Sequence, residues 1–534
     1  MTGRTPLATT LPTSPFPGLL TDPRIRAAYS EGAGIYRIIP VGAAVVRGVE
    51  QLQQLVRWAA ESHTPLVPRG SGSGLAGGSV GSGVIVDLSQ GFHWLAPNWT
   101  KRTLWAGASV TWAQVNEAAR PFGLRLPPDP SSGAFATSGG MVATNAAGPR
   151  SVRCGSVRNW VEAVEVVEQD GATRRVERGV HGTARWHLEP AAAELVRQRF
   201  PRTRKSSTGY ALDRYAETAD ELDLLIGAEG TLAIVTAVEW RLEPIPPDVA
   251  GAVLGFASLE ALAAAVPYLV ALNPSAVELL DRTFLSLVRE AGTDLPPDLA
   301  GVLLVEFERD TAAAAHGVVG DAVRGLKDYT AHVETAVDRA GLERLWAVRR
   351  LASPALARLP ETQRSLQVVE DACVPLERLA AYIDGIRAAA DRQRIPVAVF
   401  GHAGDGHVHV NALPDTTRRG WKDALAALYA AATDLLLELG GVPSGEHGVG
   451  RLRAGVLERF YGSEVMALFR ELKQAYDPLG VFNPGVILPA TDWAPLADLK
   501  VGPDATPIPD DIAHRLRALE QGAGWATPKT ELAN

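Results

Sequence analysis

Cysteine is nearly absent from the chain: among 534 residues only Cys154 and Cys373 occur. Two thiols cannot make a disulfide framework, and they fall short of the four protein ligands that an iron–sulfur cluster takes. The expected setting is therefore reducing and cytoplasmic, with peripheral attachment at the inner face of a membrane left open. An excess of basic charge is missing too. The 52 Lys and Arg against 60 Asp and Glu leave a net charge of −8, which argues against a phosphate-neutralising surface and so against a nucleic-acid partner. Long hydrophobic runs are also lacking. The nearest, residues 424–439, is interrupted by Thr433, Asp434 and Glu438 and closed by Gly440 and Gly441, so it reads as a core helix and no transmembrane segment is expected. Residues 1–20 lack the charged-then-apolar order of a secretory signal. The short basic run 202–205 reads as a solvated loop.

What is present is ordinary globular material, 46% apolar and 21% charged, long enough for two or more cores. Residues 1–35 read as an N-terminal arm laid over the body and residues 491–534 as a Pro-rich, polar tail, neither with recognisable chemistry. From residue 36 on, strand-like runs such as 84–88 and 163–167 alternate with Gly-rich turns and short Ala-rich helices. The cluster Pro244-Ile245-Pro246-Pro247 marks the best internal boundary, because proline extends neither a helix nor a central strand. Two domains are expected, 36–245 and 246–490. The second opens with strand signals at 251–256 and 302–307 around a helix at 259–272, which predicts an α+β layer with helices on one face. No internal repeat is visible.

Residues 67–79 contain a literal G-x-G-x-x-G, from Gly72 to Gly77. A Rossmann fold needs a helix opening on the last glycine, whereas 80–83 reads as loop and 84–88 as strand, so an NAD-dependent enzyme is set aside. Glycines still let backbone N–H groups approach a diphosphate, and Arg69 adds charge; a bare Gly-rich loop is equally a plain turn. A second stretch of small residues and hydroxyls runs from Pro128 to Gly155. It buries too little apolar surface for its length to be core and is better explained as a wall against a large flat ligand. A third, Gly227-Ala228-Glu229-Gly230 leading into Ile234-Val235, joins a turn to a buried strand with glycines again suited to close backbone approach.

Towards the C-terminus, Val397-Ala398-Val399-Phe400 reads as a strand, 401–406 as a turn, and His407-Val408-His409-Val410-Asn411 as the returning strand. Period two puts His407, His409 and Asn411 on one face, with His402 where the first strand enters the turn. Three imidazoles beside Asp405 predict a site rather than three unrelated structural histidines. The turn Ser444-Gly445-Glu446-His447-Gly448 adds a carboxylate and another His. Two histidines and a carboxylate are a common ligand set for a zinc-like divalent ion, which His402, His409 and Glu446 can supply while His447 stays free. An anionic substrate needs a planar cation. Leu345-Trp346-Ala347-Val348-Arg349-Arg350 offers two, unless both belong to a solvated helix face.

In this order and spacing, the three small-residue segments resemble the FAD domain of the vanillyl-alcohol oxidase superfamily. More narrowly, the chain resembles its D-lactate, D-2-hydroxyglutarate and glycolate dehydrogenases. The resemblance implies an α+β fold with a PCMH-type FAD-binding domain, a substrate (cap) domain, and a C-terminal segment returning to the flavin domain. It implies that Pro68, Arg69, Gly70, Ser71, Gly72, Ser73, Gly74 and Leu75 hold the diphosphate. Pro128, Asp129, Thr137, Ser138, Gly139, Gly140, Asn145, Ala146, Gly148 and Gly155 would line the flavin, and Glu229, Gly230, Ile234 and Val235 would meet the adenine half, with Asn483 also at the cofactor. Ser71 and Ser73 stand where some members tether the flavin through His, so non-covalent FAD is implied.

The same resemblance assigns the divalent metal to His402, His409 and Glu446, makes His447 the general base and Arg349 the carboxylate anchor, and puts Ser353 and Asn411 near the substrate. His407 departs from the family's usual Asn, which leaves open an added ligand, a different metal or a plain hydrogen bond. Val369 stands where some hydroxyglutarate-specific relatives carry Lys, which speaks against a second substrate carboxylate. The implied function is oxidation of a D-lactate- or glycolate-like 2-hydroxy acid to the 2-oxo acid, with hydride passing to flavin N5. Residues 199–213 resemble relatives with a fused iron–sulfur half, which is absent here. A separate acceptor is therefore implied: an iron–sulfur protein, an electron-transfer flavoprotein or a quinone. The alternative is a flavin-bearing electron-relay subunit of a larger complex, with substrate chemistry elsewhere. A homo-oligomer is compatible with the sequence.

Overall fold

A computed structural model describes residue 16 and residues 18–289, 295–522 and 524–533, apart from the side chains of 352 and 353. The N-terminal half is built on two sheets. In the first, Gly42–Val45 and Leu66–Arg69 each pair parallel with Val84–Asp87, and Leu19–Leu20 closes one edge. Parallel strands need a crossover. Helix Val49–Ser62 supplies one, burying Leu52, Leu55, Val56 and Ala59 at helical spacing. The expected strand at 84–88 is thus a central one, no helix opens on Gly77, and Leu66–Arg69 delivers the chain into the Gly-rich loop.

The second sheet is antiparallel, in the order Leu95–Asn98, Thr103–Gly107, Ile234–Arg241, Val161–Val167, Thr173–Glu177. Helix Ser138–Thr144 packs on Ile234–Arg241; its cap, Thr137, accepts from the Gly140 N–H at 3.3 Å. The N–H groups of Gly227 and Glu229 donate to the carbonyls of Val142 and Ala143 at 2.9 and 2.8 Å. The second and third small-residue stretches therefore lie side by side.

From residue 248 a seven-stranded antiparallel sheet takes the order His332–Ala336, Asp248–Phe256, Gly301–Arg309, Ala276–Asp281, Val397–Gly401, His407–Ala412, Ala372–Cys373. Helices were expected on one face; they cover both. Leu259–Ala271, Ala312–Leu326, Leu379–Gln393 and Trp421–Glu438 pack against the face carrying Leu254, Leu303 and Val305, while Arg282–Arg289 and Arg339–Arg350 pack against the face carrying Val253, Val302 and Leu304. The cause is local: Val302-Leu303-Leu304-Val305 is apolar at every position, and a strand with one face in water alternates.

The chain then returns to the N-terminal half. Helix Leu457–Tyr476 lays Leu457, Tyr461, Phe469 and Leu472 into that core, and Leu66 and Phe482 form a parallel bridge. Ion pairs of 2.7 Å, Arg125 to Glu308 and Arg150 to Glu306, fasten the N-terminal half to the large sheet. The two ends meet as well: helix Pro23–Ala28 packs against helix Asp510–Gln521 and Leu532. The tail was expected to carry no recognisable chemistry, yet its Arg517, Glu520 and Trp525 line the same cavity as the Gly-rich loop. Among the described residues no helix is long and apolar enough to cross a membrane.

Candidate active site

One cavity of about 820 Å³ runs between the Gly-rich loop and the large sheet. Pro68 to Leu75 line it on one side, with Asp129, Thr137, Gly139, Gly140, Ala146, Glu229, Gly230, Ile234 and Val235; Arg349, His409, Asn411, Glu446 and His447 line it on the other. Among the described residues, none accepts from the backbone N–H groups of Gly70 through Leu75. A row of unpartnered N–H groups along a cavity is what a diphosphate satisfies, so the loop fits FAD. Arg69 serves the loop from behind. The residue is 2% exposed, and its guanidinium donates to the carbonyls of Glu31 at 2.8 Å and of Tyr29 and Ser79 at 3.4 Å.

Pro128, Ser138, Asn145, Gly148, Gly155 and Asn483 are not among the cavity-lining residues. Ser138 turns its hydroxyl to the Val110 carbonyl and the Trp240 indole, and Gly148 packs against the Asp129 backbone. Asn483 instead ties the elements together, its amide donating to the carbonyls of Gly78 and Glu229, both at 2.9 Å.

On the reaction side the expected hairpin is formed by Val397–Gly401 and His407–Ala412, with Phe400 opposite His409 and Ala398 opposite Asn411. Gly406 turns it at φ +70°, where a Cβ would strike the Val374 carbonyl at 2.2 Å. His402 Nε2 lies 3.1 Å from Glu446 Oε1, His409 Nε2 lies 3.4 Å from the same oxygen, and the two nitrogens are 3.4 Å apart. Ligand atoms around a tetrahedral ion with bonds of about 2.1 Å sit roughly 3.4 Å from one another. The tautomers agree with that spacing. His402 Nδ1 faces Glu278 Oε1 at 2.6 Å and His409 Nδ1 faces the Glu370 carbonyl at 3.2 Å, so with a cation present these acceptors would keep the protons on Nδ1 and leave both Nε2 atoms to bind it with a carboxylate oxygen. Such a donor set fits a divalent cation.

His407 lies in the same cluster but has other partners. Its Nε2 faces Asp371 Oδ1 at 2.8 Å and its Nδ1 faces Lys205 Nζ at 3.2 Å, so of the three roles left open for this residue the hydrogen bond is the one observed. Burial and the Lys205 charge push its pKa down to about 3, which keeps it neutral. Lys205 itself corrects the reading of the 202–205 run as a solvated loop. Arg202 and Arg204 are exposed, but the Lys205 ammonium is buried, donating to Glu446 Oε2 at 2.6 Å and to Ser151 Oγ at 3.1 Å. A buried carboxylate needs a partner, and this lysine is the partner of Glu446.

His447 projects into the cavity with its side chain 25% exposed. Glu370 Oε2 meets its Nδ1 at 2.7 Å, leaving Nε2 for a ligand, and the ring stacks on His409 at 5.1 Å. Burial alone would lower the imidazole's pKa, but Glu370 and Asp371 outweigh it and carry it up to about 10. A cation held beside Glu446 Oε1, itself 3.5 Å from His447 Nε2, would oppose that rise and favour the neutral ring that a base requires. Asp371 builds the turn, accepting from Ser444 Oγ at 2.6 Å and from the His447 N–H at 2.9 Å. Gly445 is required there, since a Cβ would lie 2.6 Å from the His407 ring.

Arg349 is on the buried face of its helix, its Nε donating to Glu278 Oε2 at 2.7 Å and its guanidinium lying 5.0 Å from the Phe400 ring centre. Neither Nη group donates to another described residue, and both are left for a ligand of the cavity. Arg350, by contrast, is exposed and paired with Glu343. Asn411 lines the cavity and accepts from Ser365 Oγ at 2.9 Å. The Ser353 side chain lies outside the described residues. Sequence reasoning missed Glu278, Glu370, Asp371 and Lys205. The first three carried a signal, being carboxylates inside the apolar runs 276–280 and 368–374; Lys205 carried none.

Residues 40–177 match the family model described as FAD binding domain, and residues 245–487 match FAD linked oxidases, C-terminal domain. D-lactate dehydrogenase of Archaeoglobus fulgidus is 30% identical over 444 residues, covering 82% of this chain and 89% of that protein. The chain belongs to the FAD-linked 2-hydroxy acid dehydrogenases. Glycolate oxidase subunit GlcD of Bacillus subtilis is 29% identical, covering 84% of this chain and 89% of that subunit. D-2-hydroxyglutarate dehydrogenase of Escherichia coli is 28% identical, and the match covers 87% of this chain and 50% of that relative. The PCMH-type fold is shared with p-cresol methylhydroxylase, whose structure aligns with a TM-score of 0.66 at 15% identity, over 88% of this chain and 94% of that one. The FAD-linked dehydrogenase thus pairs a PCMH-type FAD-binding domain with an FAD-linked oxidase C-terminal domain.

Proposed function

We propose that this dehydrogenase oxidises a D-lactate- or glycolate-like 2-hydroxy acid to the 2-oxo acid and passes the electrons to a separate acceptor. The observation that carries this reading is convergence: Arg349 with its free Nη groups, His447, His409 and Glu446 all line the cavity that the Gly-rich loop lines, and His402 Nε2 meets Glu446 Oε1 from just behind its wall. When bound, FAD takes up the hydride and a zinc-like divalent cation polarises the substrate hydroxyl. His402, His409 and Glu446 would hold the cation; residues 68–75 would hold the diphosphate without a covalent link, since 70–79 contain only Gly, Ser, Leu and Ala.

The chain's own side chains supply the rest. Arg349 pairs its fork with the substrate carboxylate and fixes the orientation of C2. His447 Nε2 takes the hydroxyl proton, and Glu370, on the far nitrogen, stabilises the imidazolium that results. Arg453 donates to the other Glu370 oxygen at 2.7 Å, so the dyad stays aligned. Both cysteines are buried free thiols, too few for an internal iron–sulfur relay. An iron–sulfur protein, an electron-transfer flavoprotein or a quinone is the acceptor class that follows.

The test is anaerobic. Adding D-lactate, glycolate, D-2-hydroxyglutarate and the L-forms one at a time to the yellow protein, with and without prior chelation, is expected to bleach the flavin with one acid, and chelation is expected to abolish the bleaching. A yellow protein that none of the acids bleaches would contradict the proposal and favour an electron-relay subunit.

A further inference from the structure

We propose that Glu278 is a positioning residue that couples the two halves of the substrate site, one carboxylate setting both the cation ligand His402 and the carboxylate anchor Arg349. The inference rests on the function proposed above. Glu278 stands in strand Ala276–Asp281 and is fully buried. Its strand neighbours on the same face, Ala276 and Leu280, belong to the apolar layer under helix Arg339–Arg350. Packing alone calls for an aliphatic side chain there, and a bare carboxylate in that layer is costly unless each oxygen is engaged.

Each oxygen is engaged by a different partner. Oε1 meets His402 Nδ1 at 2.6 Å and Oε2 meets Arg349 Nε at 2.7 Å. The first contact keeps the His402 proton on Nδ1, so that Nε2 presents its lone pair to His409 and Glu446. The second fixes the guanidinium plane over Phe400 and spends the Nε donor, so that only the two Nη groups face the cavity. Both partners therefore turn about one rigid hinge on the central sheet. The distance between the point where the substrate hydroxyl is polarised and the point where its carboxylate is gripped is set by this carboxylate. The other buried acids of the site do not reach Arg349: Glu370 holds His447 and His409, and Asp371 holds His407 and the 444–447 turn.

The test uses the FAD-loaded protein as wild type, Glu278→Gln, Glu278→Asp and Asp281→Asn. Asp281 is a buried carboxylate of the same strand, paired with Arg387 at 2.6 Å, away from the cavity, and reports what losing a buried ion pair does to the fold alone. Two constants are measured: zinc affinity by competition with a chromophoric chelator, and, in chelated protein, the Kd of oxamate from its perturbation of the flavin spectrum. Glu278→Gln is expected to weaken zinc binding by roughly 10–100-fold and oxamate binding by about 10-fold, the loss of a hydrogen bond to a charged group. Glu278→Asp keeps the charge but is one methylene shorter, and is expected to restore one of the two constants; it also carries the test if the Gln variant does not fold. Asp281→Asn is expected to leave both constants at the wild-type value. Unchanged constants in the Glu278 variants, or equal losses in Asp281→Asn, overturn the assignment. A wild type that binds neither zinc nor oxamate overturns instead the function on which it rests.

Discussion

Replacing His447 by alanine is expected to slow anaerobic flavin reduction by roughly 10²–10⁴-fold while the flavin stays bound. The effect is attributable to proton transfer because little else changes. His447 makes no hydrogen bond to the residue 70–75 loop, and the turn that carries it is held through the backbone N–H and Ser444 hydroxyl that donate to Asp371. Glu370, on losing the imidazole, keeps Arg453 at 2.7 Å, so no buried carboxylate is stranded. Stopped-flow reduction at saturating acid checks this; a rate within tenfold of wild type would remove His447 from the base role.

Arg349→Lys is expected to fall nearly as far in kcat/KM, by roughly 10²-fold or more, mostly through KM. Lysine keeps the charge and can donate from its ammonium but lacks the planar fork, and two charge-assisted hydrogen bonds at about 1.5–3 kcal/mol each are at stake. The choice of lysine over alanine matters. Alanine would leave Glu278 with His402 as its sole partner, and a structural loss of several kcal/mol would mingle with the binding loss. Steady-state kinetics on the Lys variant, with FAD content and melting temperature held as controls, separates the two. An unchanged KM would place the substrate carboxylate elsewhere, and Arg517 of the tail, which also lines the cavity, becomes the next candidate.

Much of this site was legible because its signals are local. Alternation in His407-Val408-His409-Val410-Asn411 fixed the hairpin, and the Gly-rich loop followed by a strand excluded the Rossmann reading. The residues that escaped are those whose meaning is set by distant partners. Lys205 reads as the end of a basic surface run until the fold brings it 2.6 Å from Glu446. His407 shares a strand face with His409, yet Asp371 and Lys205 claim both its nitrogens, a contest that the alternation of one strand cannot reveal. The second layer of helices was missed in a different way: the apolar run 302–305 was read as a strand, but not as one covered on both faces. For the tail, the seating of Trp525 and Arg517 in the cavity depends on helix Asp510–Gln521 meeting helix Pro23–Ala28, which pairs opposite ends of the chain.

The most direct test of the central claim is single-turnover flavin reduction with the acid that bleaches the protein, carrying protium or deuterium at C2. The account predicts slower reduction with deuterium at saturating acid, because the C2–H bond breaks as the flavin is reduced. Equal rates for the two isotopologues, with the bleaching itself intact, would contradict it.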